Sequence, residues 1–123
     1  MYEQRLTGQV MDSAFKVHTI LGPGLLESSY EACLEFELKR RGLSVKRQVP
    51  LPLVYEGFQL EVGYRIDLLV QSKVIVEVKA VSATLPIHRA QLISYLRLSK
   101  KRVGLLMNFN VLHLKDGMQR FVN

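Results

Sequence analysis

The segment Val74-Ile75-Val76-Glu77-Val78-Lys79-Ala80 constrains the fold more than any other stretch of this sequence. Successive side chains of a strand point to opposite faces of a sheet, so Val74, Val76 and Val78 face one way while Glu77 and Lys79 face the other. A run this apolar belongs in the middle of a sheet, covered on both sides. A carboxylate and an ammonium placed there are costly unless they pair with each other or hold a metal or a substrate. A Glu-x-Lys triplet alone occurs often by chance, and a Glu77–Lys79 ion pair at a sheet edge would account for it.

Asp67 changes that balance. It lies in Tyr64-Arg65-Ile66-Asp67-Leu68-Leu69-Val70, again an acid among apolar neighbours. If Val70 and Val74 pair across the three-residue loop Gln71-Ser72-Lys73, Asp67 falls opposite Glu77 and both acids leave the same face. A two-residue loop would put them on opposite faces. Two carboxylates on neighbouring strands suit Mg²⁺ or Mn²⁺, hard cations that keep several waters. The backbone carbonyl of Val78 is available as a third ligand, and Lys79 on the same face can meet a phosphate.

The remaining elements build around this pair. A first helix is expected from Tyr2 to Thr19, with Leu6, Val10, Ala14 and Val17 on one apolar stripe, broken by Leu21-Gly22-Pro23-Gly24. A second is expected from Leu25 to Arg41, burying Leu26, Tyr30, Cys33, Leu34 and Leu38, with Gly42 just past its end. Strands are expected over Val45–Tyr55, Gln59–Val70 and Val74–Ala80. Pro86 then suits the first position of a third helix reaching Ser99, with Thr84 as its cap and Ile93 and Leu96 facing the core. Val103–Asn108 reads as an apolar strand, and Val111–Leu114 with Gln119–Val122 as a closing hairpin around Asp116-Gly117. The order helix, helix, three strands, helix, strands predicts an α/β fold: a mixed central sheet flanked by helices, in one domain spanning residues 1–123.

Composition removes several classes of function. No apolar run approaches the ~20 residues that cross a bilayer. The start Met1-Tyr2-Glu3-Gln4-Arg5 lacks the basic-then-apolar order of a secretory signal, which supports a cytoplasmic protein. The single cysteine, Cys33, reads as a small core residue, and His18, His88 and His113 are too scattered for a zinc site. No phosphate-binding glycine loop is present. Seventeen Lys and Arg against eleven acids give a formal net charge of +6, a surface field that attracts polyanions. Lys46-Arg47 and Lys100-Lys101-Arg102 would serve equally as solvated faces.

Two further groups gather around the acids. His88, Gln91 and Tyr95 share a face of the third helix, where Gln91 could orient a water or a phosphate or simply bond to a half-buried Tyr95. Glu27 is expected on the buried stripe of the second helix, where a carboxylate near the helix start also gains from the dipole.

These residues carry a resemblance. Gly24-Leu25-Leu26-Glu27-Ser28-Ser29-Tyr30 resembles the signature of the GxxExxY proteins. Asp67, then Glu77-Val78-Lys79, then Gln91-Leu92-Ile93-Ser94-Tyr95 resemble the acid, ExK and QxxxY motifs of the RecB-like branch of PD-(D/E)XK nucleases. Gly104-Leu105-Leu106-Met107-Asn108-Phe109-Asn110 is similar to that family's late strand. The motifs occur in order over nearly the whole chain, with Ile66 standing where the family name has proline. The resemblance implies a restriction-endonuclease-like core, with Asp67 and Glu77 as metal ligands and Lys79 as the catalytic lysine. Gln91 and Tyr95 would assist, and Glu27 would be the acid that the first core helix brings near the metal. The activity implied is Mg²⁺- or Mn²⁺-dependent hydrolysis of nucleic acid, DNA in the first instance. The competing reading is a catalytically silent module that binds nucleic acid or protein on the same fold. A homodimer or larger assembly would supply two sites for two strands, and nothing in the sequence selects it.

Overall fold

The structure, a computed structural model, describes residues 3–123. Helix α1 spans Gln4–Leu21 and α2 spans Glu27–Arg40. Strands β1 (Val45–Pro50), β2 (Leu53–Tyr55), β3 (Phe58–Leu60), β4 (Arg65–Val70) and β5 (Val74–Lys79) follow. Helix α3 (Pro86–Ser99), β6 (Val103–Asn108) and β7 (Met118–Val122) complete the order. The predicted start of the first helix at Tyr2 lies outside the described residues. Among them no helix is long and apolar enough to cross a membrane.

Five strands form one sheet in the order β1-β4-β5-β6-β7, and β2 and β3 pair as a separate hairpin. β5 and β6 run parallel and every other pairing is antiparallel, so the sheet is mixed. β5 lies at its centre. Val74, Val76 and Val78 pack with Val10, Ala14 and Val17 of α1 and with Tyr30, Leu34 and Leu38 of α2. On the opposite face Ile75 and Leu106 meet Leu92, Tyr95 and Leu96 of α3. Gly104 lets α3 sit close, since a Cβ there would lie 2.8 Å from Leu92 Cδ1.

Several local expectations change. The expected strand from Gln59 to Val70 breaks between Leu60 and Arg65, where Gly63 takes a φ of 87°. The cap of α3 is Leu85, not Thr84, and the His88 ring Nδ1 accepts the Leu85 N–H at 3.0 Å. Leu92, rather than Ile93, is the fully buried partner of Leu96, because the helix turns Tyr95 inward as well. The closing hairpin does not form. A 3-10 turn over Leu114–Gly117 carries the chain back so that β7 pairs with β6, and Val111–Leu114 makes no strand. On α2 the buried stripe begins only at Tyr30, and Leu26 is 75% exposed. The Tyr30 hydroxyl donates to Gly22 O at 2.6 Å and accepts the Leu25 N–H at 3.0 Å, so the turn before α2 is closed by this ring and not by Leu26.

The same turn is tied to the far end of the chain. Tyr30 stacks on Phe109 at 4.7 Å between ring centroids, and the Gly24 N–H donates to Asn110 Oδ1 at 3.1 Å. Asn108, buried at the end of β6, accepts the Val81 N–H on Oδ1 at 3.1 Å and donates from Nδ2 to Val81 O at 2.9 Å. That pair of bonds fixes the path of the chain as it leaves β5.

Candidate active site

The loop Gln71-Ser72-Lys73 has the three-residue length that the parity argument requires, with Val70 opposite Val74. Regular pairing of β4 with β5 stops at Leu68–Val76. Beyond it the strands part, and side chains take over from the ladder. Asp67 Oδ2 accepts the Val78 N–H at 2.8 Å, and Glu77 Oε1 accepts the Asp67 N–H at 3.3 Å. An extended residue in a parallel pair sends its N–H and C=O to the same side. The Lys79 carbonyl accepts the Phe109 N–H on the β6 side, so by alternation the Val78 carbonyl faces the gap that Asp67 occupies.

A backbone distortion in β1 lies beside this gap. The β1–β4 register skips Gln48 and Asp67 between the Arg47–Leu68 and Val49–Ile66 pairs, and Gln48 takes a φ of 55°, a conformation that side-chain-bearing residues adopt at a cost. Strict alternation would put Ile66 with Leu68 on the α1/α2 face, yet Ile66 packs with Ile75 and Leu92 on the α3 face. The turn-over at Gln48 and Asp67 therefore aims the Asp67 carboxylate along the gap instead of into either core. Gln48 Nε2 donates to Asp67 Oδ1 at 3.4 Å and to Glu31 Oε1 at 2.6 Å.

Electrostatics mark the same spot. Burial, then the Asp67 carboxylate beside it, push the Glu77 carboxyl up to about 9, with Lys79 acting weakly in the other direction. Glu31 is raised by burial, an effect that its bond to Gln48 opposes and that Asp67 reinforces. The Tyr95 hydroxyl is raised by burial and then by Glu77 and Asp67. Two acids held together where one must stay neutral fit a divalent cation, whose charge would let both ionise. Among the described residues no group of three or more His, Cys, Asp and Glu side chains is disposed to hold a metal alone. The donor set on offer is thus two carboxylates and a carbonyl, which suits a cation that retains water.

The other candidates fall into place unequally. Lys79 is half-buried at the end of β5, and among the described residues it forms no ion pair. The alternative of a Glu77–Lys79 pair at a sheet edge is thereby set aside, since β5 is central and Glu77 is 4% exposed. Gln91 Nε2 donates to the Tyr95 hydroxyl at 3.2 Å, and both side chains line a cleft with Lys79. Glu27 is not on a buried stripe. It is exposed in the first turn of α2, and among the described residues no hydrogen bond or ion pair joins it to Asp67 or Glu77. Glu31, one turn further along the same helix face, is the acid that α2 delivers, buried and held by Gln48 and by Arg47 at 3.2 Å. Glu31 and Gln48 escaped the sequence reading. The signal for Glu31 was its i+4 spacing from Glu27; nothing in the residue type at 48 announces a positive φ.

A mixed sheet between helical layers, with an antiparallel pair forking around two acids and a lysine two residues on, defines a restriction-endonuclease-like α/β protein. A family model of the PD-(D/E)XK nuclease superfamily matches residues 4–121, and the chain belongs to that superfamily. No curated protein and no solved structure matches it. Membership points to a nuclease acting on nucleic acid, in a superfamily whose members generally use divalent metals.

Proposed function

We propose that this protein is a Mg²⁺- or Mn²⁺-dependent nuclease of the RecB-like, GxxExxY type that hydrolyses phosphodiester bonds in DNA. The observation that carries the reading is the Asp67–Glu77 contact in the fork between β4 and β5, with Glu77 buried and Lys79 beside it in no ion pair among the described residues. Asp67, Glu77 and the Val78 carbonyl would hold the cation, which when bound acidifies water and offsets charge on a phosphate oxygen. Lys79 would place its ammonium against the scissile phosphate and stabilise the charge that builds there. Gln91, oriented by its Nε2 bond to the Tyr95 hydroxyl, would use its second N–H toward a phosphate oxygen or its Oε1 toward a water. Gln48 would keep Asp67 aimed into the gap.

The test is titration of Mg²⁺ and Mn²⁺ into wild type and Asp67→Ala, then assay of both on labelled single- and double-stranded DNA and RNA. Metal binding and cleavage that both vanish in the variant are expected. A well-folded wild type that binds neither ion would overturn the reading in favour of a binding module.

A further inference from the structure

A cleft of about 580 Å³ adjoins the carboxylate pair through Lys79, two residues beyond Glu77 on β5, and is lined by Lys79, Gln91 and Tyr95. Four more of its wall residues are of another kind: Leu53, Tyr64, Ile87 and Leu98. Phosphate recognition calls for cations and N–H donors; an apolar and aromatic wall beside the reacting group calls for something flat and apolar attached to that phosphate. Tyr64 is 42% exposed, and its ring lies 6.1 Å from that of Tyr95 at a tilt of 57°, so the buried ring braces the open one. His88 and Ser94 add polar groups to the α3 side. The volume falls within the ~300–1,000 Å³ of small-ligand pockets. The hairpin that supplies Leu53 also carries Tyr55 and Phe58, cross-strand partners 68% and 63% exposed, unusual surface for a basic chain unless it meets other rings.

We propose that this cleft is a nucleobase subsite: it takes one unstacked base of a single-stranded nucleic acid against Tyr64 while the neighbouring phosphate meets Lys79 and the carboxylates. The assignment rests on the nuclease reading for its phosphate half. A base inside a duplex is covered on both faces and cannot reach such a wall without leaving the stack. Single strands offer their faces freely, and every base has one, so the subsite selects strandedness and tolerates sequence.

Binding is read by fluorescence anisotropy in Ca²⁺, using a labelled twelve-residue oligo-dT, an abasic oligomer of the same length and a duplex of the same length. Wild type is expected to favour oligo-dT over the abasic oligomer by about tenfold, as a stacked base contributes, and over the duplex as well. Tyr64→Ala should bring the dT-to-abasic ratio to about one, while Tyr64→Phe keeps it. Circular dichroism confirms that both variants fold. Equal affinity of wild type for oligo-dT and the abasic oligomer, or a ratio that survives Tyr64→Ala, overturns the subsite. Hydrolysis of bis(p-nitrophenyl) phosphate, which carries no base, separates the two readings. Turnover by wild type but not by Asp67→Ala upholds the nuclease whatever the ratio. A dT preference without any turnover upholds the subsite and sinks the nuclease.

Discussion

Glu77 should leave a measurable mark on stability. Its carboxyl is raised from 4.5 to about 9 in the folded, metal-free protein. The group is therefore neutral in the fold over a range where the unfolded chain ionises. A raised folded value means that its contribution is intact below pH 4.5 and is lost progressively as pH climbs toward 9. Each pH unit inside that window costs about 1.4 kcal/mol, so moving from pH 5.5 to 7.5 removes about 3 kcal/mol. For a chain of 123 residues, at roughly 4 °C per kcal/mol, that is a fall in Tm of about 10 °C. Glu77→Gln reproduces the neutral acid in shape and can still accept from the Asp67 N–H, so it should lack this slope. The assay is differential scanning calorimetry of both proteins in EDTA across that pH range, read as the difference between the curves so that other titrating groups cancel. Saturating Mg²⁺ should flatten the wild-type curve, since the ion binds the charged pair and stabilises the fold by mass action. Parallel curves for wild type and Glu77→Gln in EDTA would refute the reasoning, because Glu77 would then ionise as freely in the fold as outside it.

Two further substitutions test the surroundings. Gln48→Gly removes the side chain that bridges Asp67 and Glu31 and relieves the positive φ, so the protein should be as stable as wild type or about 1 kcal/mol more so. Its Mn²⁺ affinity, followed by electron paramagnetic resonance, should nevertheless fall about tenfold, as for other groups that orient metal ligands. Tyr30→Phe deletes the hydroxyl shared by Gly22 O and the Leu25 N–H, and chemical denaturation should report a loss of about 1–3 kcal/mol.

The sequence was most legible where local chemistry and tertiary placement agree. The bounds of β6 and α3 follow from the unbroken apolar run at Val103 and from Pro86, whose missing N–H costs nothing at a helix start. The meeting of Asp67 and Glu77 could be read because it depends on counting residues across a short loop. The Glu31–Gln48–Asp67 chain could not, since it depends on how α2 lies across the sheet and on a dihedral that glutamine does not signal. Asp116-Gly117 looked like a hairpin turn. Gly117 is needed instead because a Cβ there would collide with the Asn108 carbonyl, a contact across the end of β6 that no local pattern encodes. Glu27 misled for a related reason: helical periodicity gives the spacing of a buried stripe but not where along the helix the sheet begins to cover it.

The turn between β4 and β5 gives this site an unusual kind of heredity. Gln71 and Ser72 both take positive φ, 54° and 55°; Gln71 Oε1 accepts the Ser44 N–H, while the exposed Ser72 could give way to many residues that favour that conformation. What cannot change is how many residues stand there. Removing one would slide β5 past β4 by a single step, turn Glu77 toward α1 and α2, and leave Asp67 facing valine. A lineage descending from this chain could rewrite much of the turn while keeping its length, so in this segment arithmetic more than spelling is what a working copy inherits.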